Sequence, residues 1–314
     1  MIHLNKALYG LKQSPRTWQS KLHDLLKDHG FDPLASDSAV YVNLKEKTFI
    51  ITFVDDCLII GPKKGYISSL KAKIGDTYAV EDRGPASYFL GVEIVRDRPN
   101  RRLYITQRNY ISEVLKHFNY DTSAPIKVPL QPGLIKDVNS EFTNLKGVVL
   151  VKSDVKLYQR IIGCCMYAMT QTRPDIAFAV QFLSRGLQSP LSCHLHAAKN
   201  LLRYLNSTKD LAICYGKPLD KSLALALKDI SPHPLIPLGF SDSDFASDKI
   251  TSKSTFGYLF TVAGGPVSWK SKRSSTIALS TMEAESDALV EVVREVQWLK
   301  NLYSELNMSI KSSI

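Results

Sequence analysis

The sequence has no apolar run near the roughly 20 residues that a membrane-spanning helix needs. Residues 1–10 lack the long apolar core of a secretory signal. Cysteine is scarce: the chain has five (Cys57, Cys164, Cys165, Cys193 and Cys214), an odd number without a paired spacing. That argues against the disulfide framework of a secreted domain and for a reducing, intracellular setting, cytoplasmic or nuclear. Cys193-His194-Leu195-His196 has the ligand types of a zinc site, but no second Cys or His cluster completes the four ligands of a structural zinc. Acidic residues are also in deficit, 30 against 40 basic, giving a net charge of +10 and a pI near 9.2. Such an excess suits a polyanionic partner, nucleic acid before an acidic membrane surface, though it also serves solubility alone. The rest is ordinary for a globular protein, 44% hydrophobic and 22% charged, and 314 residues leave room for two or three domains.

Lys47 to Gly61 organises the chain. Phe49 to Val54 reads as a strand and Cys57 to Ile60 as its return, leaving Asp55-Asp56 as a two-residue turn. Tight hairpin turns favour Asn-Gly or Asp-Gly, and two adjacent carboxylates repel, more so beside apolar strands. A divalent cation would offset that repulsion, since Mg²⁺ takes carboxylate oxygens. A solvated, Asp-rich turn is the bland reading of the same residues.

Around this hairpin the pattern is mixed. Ser14-Pro15 reads as a helix start, with Ser14 as N-cap, followed by Trp18, Leu22, Leu25 and Leu26 at helical spacing and closed by Gly30. Val40 to Asn43 is a short strand, and Ile67, Leu70 and Ile74 mark a helix carrying Lys63, Lys64, Lys71 and Lys73. Tyr88 to Val95 and Leu103 to Thr106 read as a hairpin turned at residues 98–102, and Gln107 to Phe118 as a helix with Ile111, Val114, Leu115 and Phe118 on one face. Asp121 to Ser153 carries Pro125, Pro129, Pro132 and Gly133 without a clear period and reads as a linker or long loop. Leu157 to Leu205 is helical, with Pro174 at a helix start. Lys217 to Pro237 is a second break. Strands then run from Leu238 to Asp242, Ser254 to Val262 and Pro266 to Lys270. A last helix opens at Ser280 and runs to about Leu302, with Leu289, Val293, Val296 and Leu299 inward. Ser280 and Glu283 have the spacing of a capping box, a complete account of Glu283 in itself. Asp244 and Asp248 read as turn or solvent residues.

Phe53-Val-Asp-Asp56 between apolar strands resembles the acidic box in the palm of reverse transcriptases. Leu4-Asn-Lys-Ala-Leu-Tyr-Gly-Leu-Lys-Gln-Ser-Pro-Arg-Thr-Trp18 before it and Tyr88-Phe-Leu-Gly-Val-Glu-Ile94 after it narrow the resemblance to copia-type LTR retrotransposon polyproteins. The resemblance covers nearly the whole chain and implies an α+β architecture in three parts. These are a partial reverse-transcriptase palm over 1–120 and, after a linker at 121–153, a helical thumb/connection over 154–215. A second linker at 216–235 leads to the N-terminal part of a ribonuclease H-like α/β domain at 236–314. The implied activities are RNA-directed DNA synthesis and ribonuclease H cleavage with Mg²⁺, acting on an RNA template, a DNA primer and the RNA–DNA hybrid, with no membrane partner.

The family's metal-binding acids fall on Asp55, Asp56, Asp242 and Glu283. Facing carboxylates from a strand and a helix suit a two-metal site. Its template and nucleotide contacts fall on Tyr9, Gly10, Lys12 and Gln13, and its primer contact on Phe89, Leu90 and Gly91. Gly10 lets backbone approach a ligand, Lys12 offers charge to phosphate, and an aromatic, an apolar residue and a glycine can touch a sugar-phosphate backbone without reading sequence. In the helical block no catalytic constellation stands out, and packing is its expected role, with Lys199 and Arg203 as phosphate candidates. The resemblance also implies a chain cut at both ends. A third palm carboxylate belongs upstream of the Leu-Tyr-Gly-Leu-Lys-Gln phrase, and further ribonuclease H Asp residues belong after the last helix. The expectation is a fragment inactive unless missing polyprotein segments are supplied. The alternatives are a non-catalytic, basic nucleic-acid-binding remnant or an incomplete product without a selected function.

Overall fold

The computed structural model describes residue 8 and residues 10–144, 148–217 and 235–308. It is a mixture of helices and antiparallel sheets, compatible with the α+β class. The chain divides into two compact units, one of Met1–Ala86 with Glu295–Ile314, the other of Ser87–Arg294.

In the first unit, α1 (Ser14–Asp28) buries Leu22 and Leu26. Pro15 sits in its first turn as expected. Ser14 is inside the helix, not at its cap: Gln13 holds the N-cap position and the Ser14 hydroxyl donates to the Leu8 carbonyl at 2.5 Å. Gly30 closes the helix in left-handed conformation (φ 80°), its amide on Lys27 and the Phe31 amide on Leu26. That pair of bonds turns Phe31 inward against Leu26, both fully buried. The strands β1 (Asp32–Pro33), β2 (Val40–Asn43), β3 (Thr48–Phe53) and β4 (Asp56–Ile60) form one antiparallel sheet in that order. Alternation along β3 sends Ile50 into the core with Tyr41, Leu22, Leu26, Phe31 and Leu70 of α2 (Lys64–Thr77). Each such side chain contributes about 1.5–3 kcal/mol on burial. Glu305 completes this unit by accepting the amides of Ala35 (2.7 Å) and Ser36 (3.1 Å).

In the second unit, β5 (Tyr88–Phe89), β6 (Val92–Asp97) and β7 (Arg102–Thr106) form a meander. Tyr88 to Val95, expected as one strand, is two, because Leu90 (φ 48°) and Gly91 (φ 76°) make a two-residue hairpin turn of left-handed residues. The fourth strand of this sheet is β8 (Ile213–Tyr215), which pairs with β7. The core packs α3 (Arg108–Phe118), α4 (Pro132–Asn144), α5 (Lys152–Gln171), α6 (Ala177–Ser184) and α7 (Ser192–Ser207) around Ile111, Leu115, Tyr158, Ile161, Ile162, Leu183, Leu201 and Leu202.

Helix α4 lies inside the stretch expected as linker. Pro132 starts it, and Leu134 and Val138, one turn apart, are buried. Between α5 and α6, Arg173 is 1% exposed. Its guanidinium makes a bidentate pair with Asp175 (2.9 and 2.7 Å) and bonds Thr208, while Tyr204 donates to Asp175 at 2.8 Å. The Thr172-Arg-Pro-Asp phrase is thus an internal staple, in keeping with a packing role.

A third sheet has the order β11-β10-β9: β9 (Leu238–Ser243), β10 (Thr255–Val262) and β11 (Gly265–Arg273). Helix α8 (Thr281–Glu305) follows. Of the expected inward stripe, Leu299 is buried and Val296 half-buried, but Leu289 and Val293 are more than half exposed. Ala284, Ala288 and Tyr303 are buried as well. Asp287 of this helix accepts from Ser274 and Thr276, just past β11, and Glu291 pairs with Lys270 of β11 at 3.0 Å. Most of the second break, residues 218–234, lies outside the described residues.

Candidate functional site

β3 and β4 pair up to Phe53 opposite Asp56, so the tip residues are Val54 and Asp55, and Asp56 opens β4. The two-residue turn is present but displaced by one position from Asp55-Asp56. The displacement gives Asp56 an extended strand backbone and leaves the left-handed conformation to Val54 (φ 54°). A β-branched residue there is a backbone outlier, costing on the order of 1–3 kcal/mol. The Trp18 indole N–H donates to the Val54 carbonyl and holds the strained turn. Trp18 itself leans edge-on against Tyr78, with ring centroids 5.1 Å apart. Asp55 and Asp56 are exposed at the tip, beside Phe53 (56% exposed) and Val54 (51%). The neighbouring Cys57 thiol is pushed above its ordinary value, by desolvation among the strands first and then by the charges of Asp56 and Asp55.

Two adjacent carboxylates on a solvent-facing turn suit magnesium. That ion takes one or two protein carboxylates and completes its shell with water and substrate phosphate. Among the described residues no group of three or more His, Cys, Asp or Glu side chains is arranged so that it could hold a metal ion.

Helix α1 reaches the hairpin through Trp18. Tyr9 lies outside the described residues. Gly10 is left-handed (φ 96°) with open space where a side chain would be. Lys12 and Gln13 are exposed in the turn leading into α1. In the second unit, Phe89, Leu90 and Gly91 form the β5–β6 turn. Tyr167 of α5, which sequence reasoning passed over, donates to the Leu90 carbonyl at 2.7 Å, and any side chain at Gly91 would collide with its hydroxyl. Tyr110 stacks edge-on against Tyr167 at 4.8 Å. Helical spacing makes Tyr167 one more residue of α5, so nothing in the sequence singled it out.

Asp242 stands at the end of β9, exposed, opposite Gly257. Glu283 is in the first turn of α8, where its carboxylate accepts the Leu279 amide (2.7 Å) and its own amide donates to the Ser280 hydroxyl (3.2 Å). The capping contact is therefore made, and Asp242 and Glu283 share no bonding partner. Asp244 accepts the Thr255 amide at 2.8 Å, as a turn residue does. Asp248, expected in a turn or in solvent, does cap a turn at Ile250 and Thr251, but it is 3% exposed and paired with Arg273 and Arg185. Burial works against its charge, but Arg273 and those amides outweigh it and hold the carboxyl below the usual carboxylate range. The Cys193-His194 pair is buried in α7, where the His194 ring accepts the Leu191 amide at 3.2 Å.

Residues 1–132 match the family model described as reverse transcriptase (RNA-dependent DNA polymerase). The chain is 39% identical to the Retrovirus-related Pol polyprotein from transposon TNT 1-94 of Nicotiana tabacum, over 99% of this chain and 22% of that protein. It is 33% identical to the corresponding polyprotein from transposon RE1 of Arabidopsis thaliana, over 98% of this chain and 19% of that one. The chain belongs to the copia-type retrotransposon Pol family. It spans about a fifth of the length of those two Pol polyproteins. A putative transposon Ty5-1 protein of Saccharomyces cerevisiae is 27% identical over 92% of this chain and 88% of its own length. No solved structure matches. Among the described residues no helix is long and apolar enough to cross a membrane.

Proposed function

We propose that this stretch of a copia-type Pol polyprotein supplies palm, connection and opening ribonuclease H elements to RNA-directed DNA synthesis. The domain limits are those the family resemblance implies: palm over 1–120, thumb/connection over 154–215 and ribonuclease H-like from 236. The observation that carries the reading is the Asp55–Asp56 hairpin, strained at Val54 and pinned by Trp18. Backbone strain of this kind concentrates where a fold presents side chains for chemistry.

In this reading Asp55 and Asp56 would hold magnesium, which would supply charge neutralisation for the transferred phosphoryl group. Trp18 keeps the turn from rotating the two carboxylates away. Lys12 offers charge to a phosphate, the left-handed Gly10 allows close approach of backbone, and Tyr9 and Gln13 complete the nucleotide side. The Phe89-Leu90-Gly91 turn touches the primer's sugar-phosphate backbone, and Tyr167 positions it. Asp242 and Glu283 would be the corresponding pair for hybrid cleavage, Glu283 serving as the helix cap in this structure. Among the described residues β4 has no neighbour on its outer edge within the sheet. A further strand bearing a carboxylate, supplied by polyprotein sequence beyond these residues, can pair there and complete the ligand set.

The test is primer extension on an RNA template with Mg²⁺, using this chain and a longer segment of the same polyprotein, each with and without Asp55→Asn/Asp56→Asn. The longer segment is expected to extend the primer and this chain alone is not, since no described carboxylate joins the pair. The double substitution should lower extension by more than the roughly 100-fold seen for outer-shell changes at metal sites. Undiminished extension by the double variant would refute the reading. A non-catalytic nucleic-acid-binding role is the second reading, favoured by the net charge of +10 and by the engagement of Glu283 as a cap. It predicts hybrid binding that weakens steeply with salt and no extension by either protein.

A further inference from the structure

Away from these carboxylates, three turns of the second unit meet around an open groove of about 520 Å³. Its lining includes Arg96, Arg98, Arg101 and Arg102 of the β6–β7 hairpin, with Tyr215 and Ala263 opposite. The floor is built from backbone. The Gly216 amide donates to the Ala263 carbonyl at 2.8 Å, and Gly216 (φ 86°) is pressed so closely on the Arg101 carbonyl that a side chain there would collide with it.

The hairpin tip is equally fixed. The Arg101 amide donates to the Arg98 carbonyl at 3.1 Å, Pro99 occupies the second turn position, and Asp97 takes the Asn100 amide and side chain at 3.2 and 2.7 Å. Asp97, the one acid of the lining, is thereby engaged within the turn. Those Asn100 bonds, side chain first and then backbone, hold it below the usual carboxylate range. All four arginines are exposed, and no ion pair among the described residues engages Arg96, Arg98, Arg101 or Arg102.

We propose that this arginine groove binds the phosphodiester backbone of nucleic acid, independently of base sequence. Guanidinium forks match phosphate oxygens in bidentate geometry. The one aromatic ring of the lining, Tyr215, has its hydroxyl committed to the Pro266 carbonyl at 2.7 Å. The groove therefore offers charge and shape without a free donor–acceptor pattern for reading bases. The site shares its ligand class with the proposed polymerase function but none of its residues.

The probe is a fluorescein-labelled, mixed-sequence 20-base-pair RNA–DNA hybrid, its affinity measured by anisotropy from 50 to 300 mM salt. Arg96→Gln/Arg98→Gln/Arg101→Gln should weaken binding at least about tenfold at low salt. It should also lower the slope of log affinity against log salt by roughly 2–3, at about 0.9 for each phosphate that is no longer neutralised. A second hybrid of unrelated sequence should respond alike. The control removes the same charge elsewhere, at the exposed Lys45, Lys64 and Lys73 (each to Gln), and a thermal melt confirms that each variant folds. An unchanged slope in the arginine variant, an equal drop in the lysine control, or no salt-dependent binding by the unsubstituted chain would each overturn the proposal. Because no primer is extended, failure here leaves the reading of Asp55 and Asp56 untouched, and failure of extension leaves the groove untouched.

Discussion

At φ 54° the Val54 side chain crowds its own backbone, and its carbonyl receives the Trp18 indole. Val54→Gly should relieve that crowding and, after the added freedom of the unfolded chain, raise stability by about 1 kcal/mol in denaturant melts. Trp18→Phe should cost about 1 kcal/mol through the lost hydrogen bond. At Asp248 the direction is opposite. Its carboxyl is held below its unfolded value, so it stabilises the fold above about pH 4 and loses that effect as pH falls through the folded value. Asp248→Asn leaves Arg185 and Arg273 without their counter-charge and should cost about 3 kcal/mol at neutral pH. It should also flatten the acid limb of a stability–pH profile. Tyr167→Phe removes one hydrogen bond to the Leu90 carbonyl and should raise the KM for primer–template in a complete polymerase several-fold with little change in kcat.

In the sequence the Asp55–Asp56 pair stands out, because adjacent acids between two apolar runs conflict with ordinary turn chemistry, and Trp18 shows as a helical position without its bond to Val54. Asp248, Arg185 and Tyr167 act through partners 25 to 77 positions away, and no local pattern encodes such pairings.

Among the elements, period-two and period-3.6 patterns located most strands and helices to within a few residues. The failures share a cause, two signals competing in one segment. Prolines and a glycine around α4 suggested loop, yet Pro132 starts that helix and Leu134 and Val138 bury its face. On α8 two stripes were available, one of large residues and one holding alanines. Weight of side chain favoured the first, but Ala284 and Ala288 are the buried positions, on the stretch where Asp287 bonds Ser274 and Thr276. The stripes differ at Leu289 and Val293, whereas Leu299 is buried as the large-residue stripe expects. Leu289→Gln/Val293→Gln should change stability by less than about 0.5 kcal/mol, as exposed positions do, whereas Leu299→Ala should cost about 2–4 kcal/mol. A pair of thermal melts checks both values.

For the molecule as a whole, the family was legible and the joining of its sheets was not. Three phrases in sequence pointed to the family, yet nothing in Ile213 to Tyr215 announced that it would complete a sheet begun at Tyr88. Its partner strand lies more than a hundred positions earlier, with Leu103 opposite Tyr215 and Ile105 opposite Ile213.

That ladder also sets an order of events in time. Helices α3 to α7 lie between the two strands, and the contacts of α5 with α6 and α7 span fewer positions than the β7–β8 ladder, so they can condense while β7 waits. Pulse-labelled hydrogen exchange during refolding should find amides of residues 152–171 protected before those of 103–105. On the ribosome β7 emerges long before its partner, and until β8 arrives its outer edge is an open template for another chain. Nascent products ending ahead of Ile213 should therefore self-associate, while those a few residues longer should not.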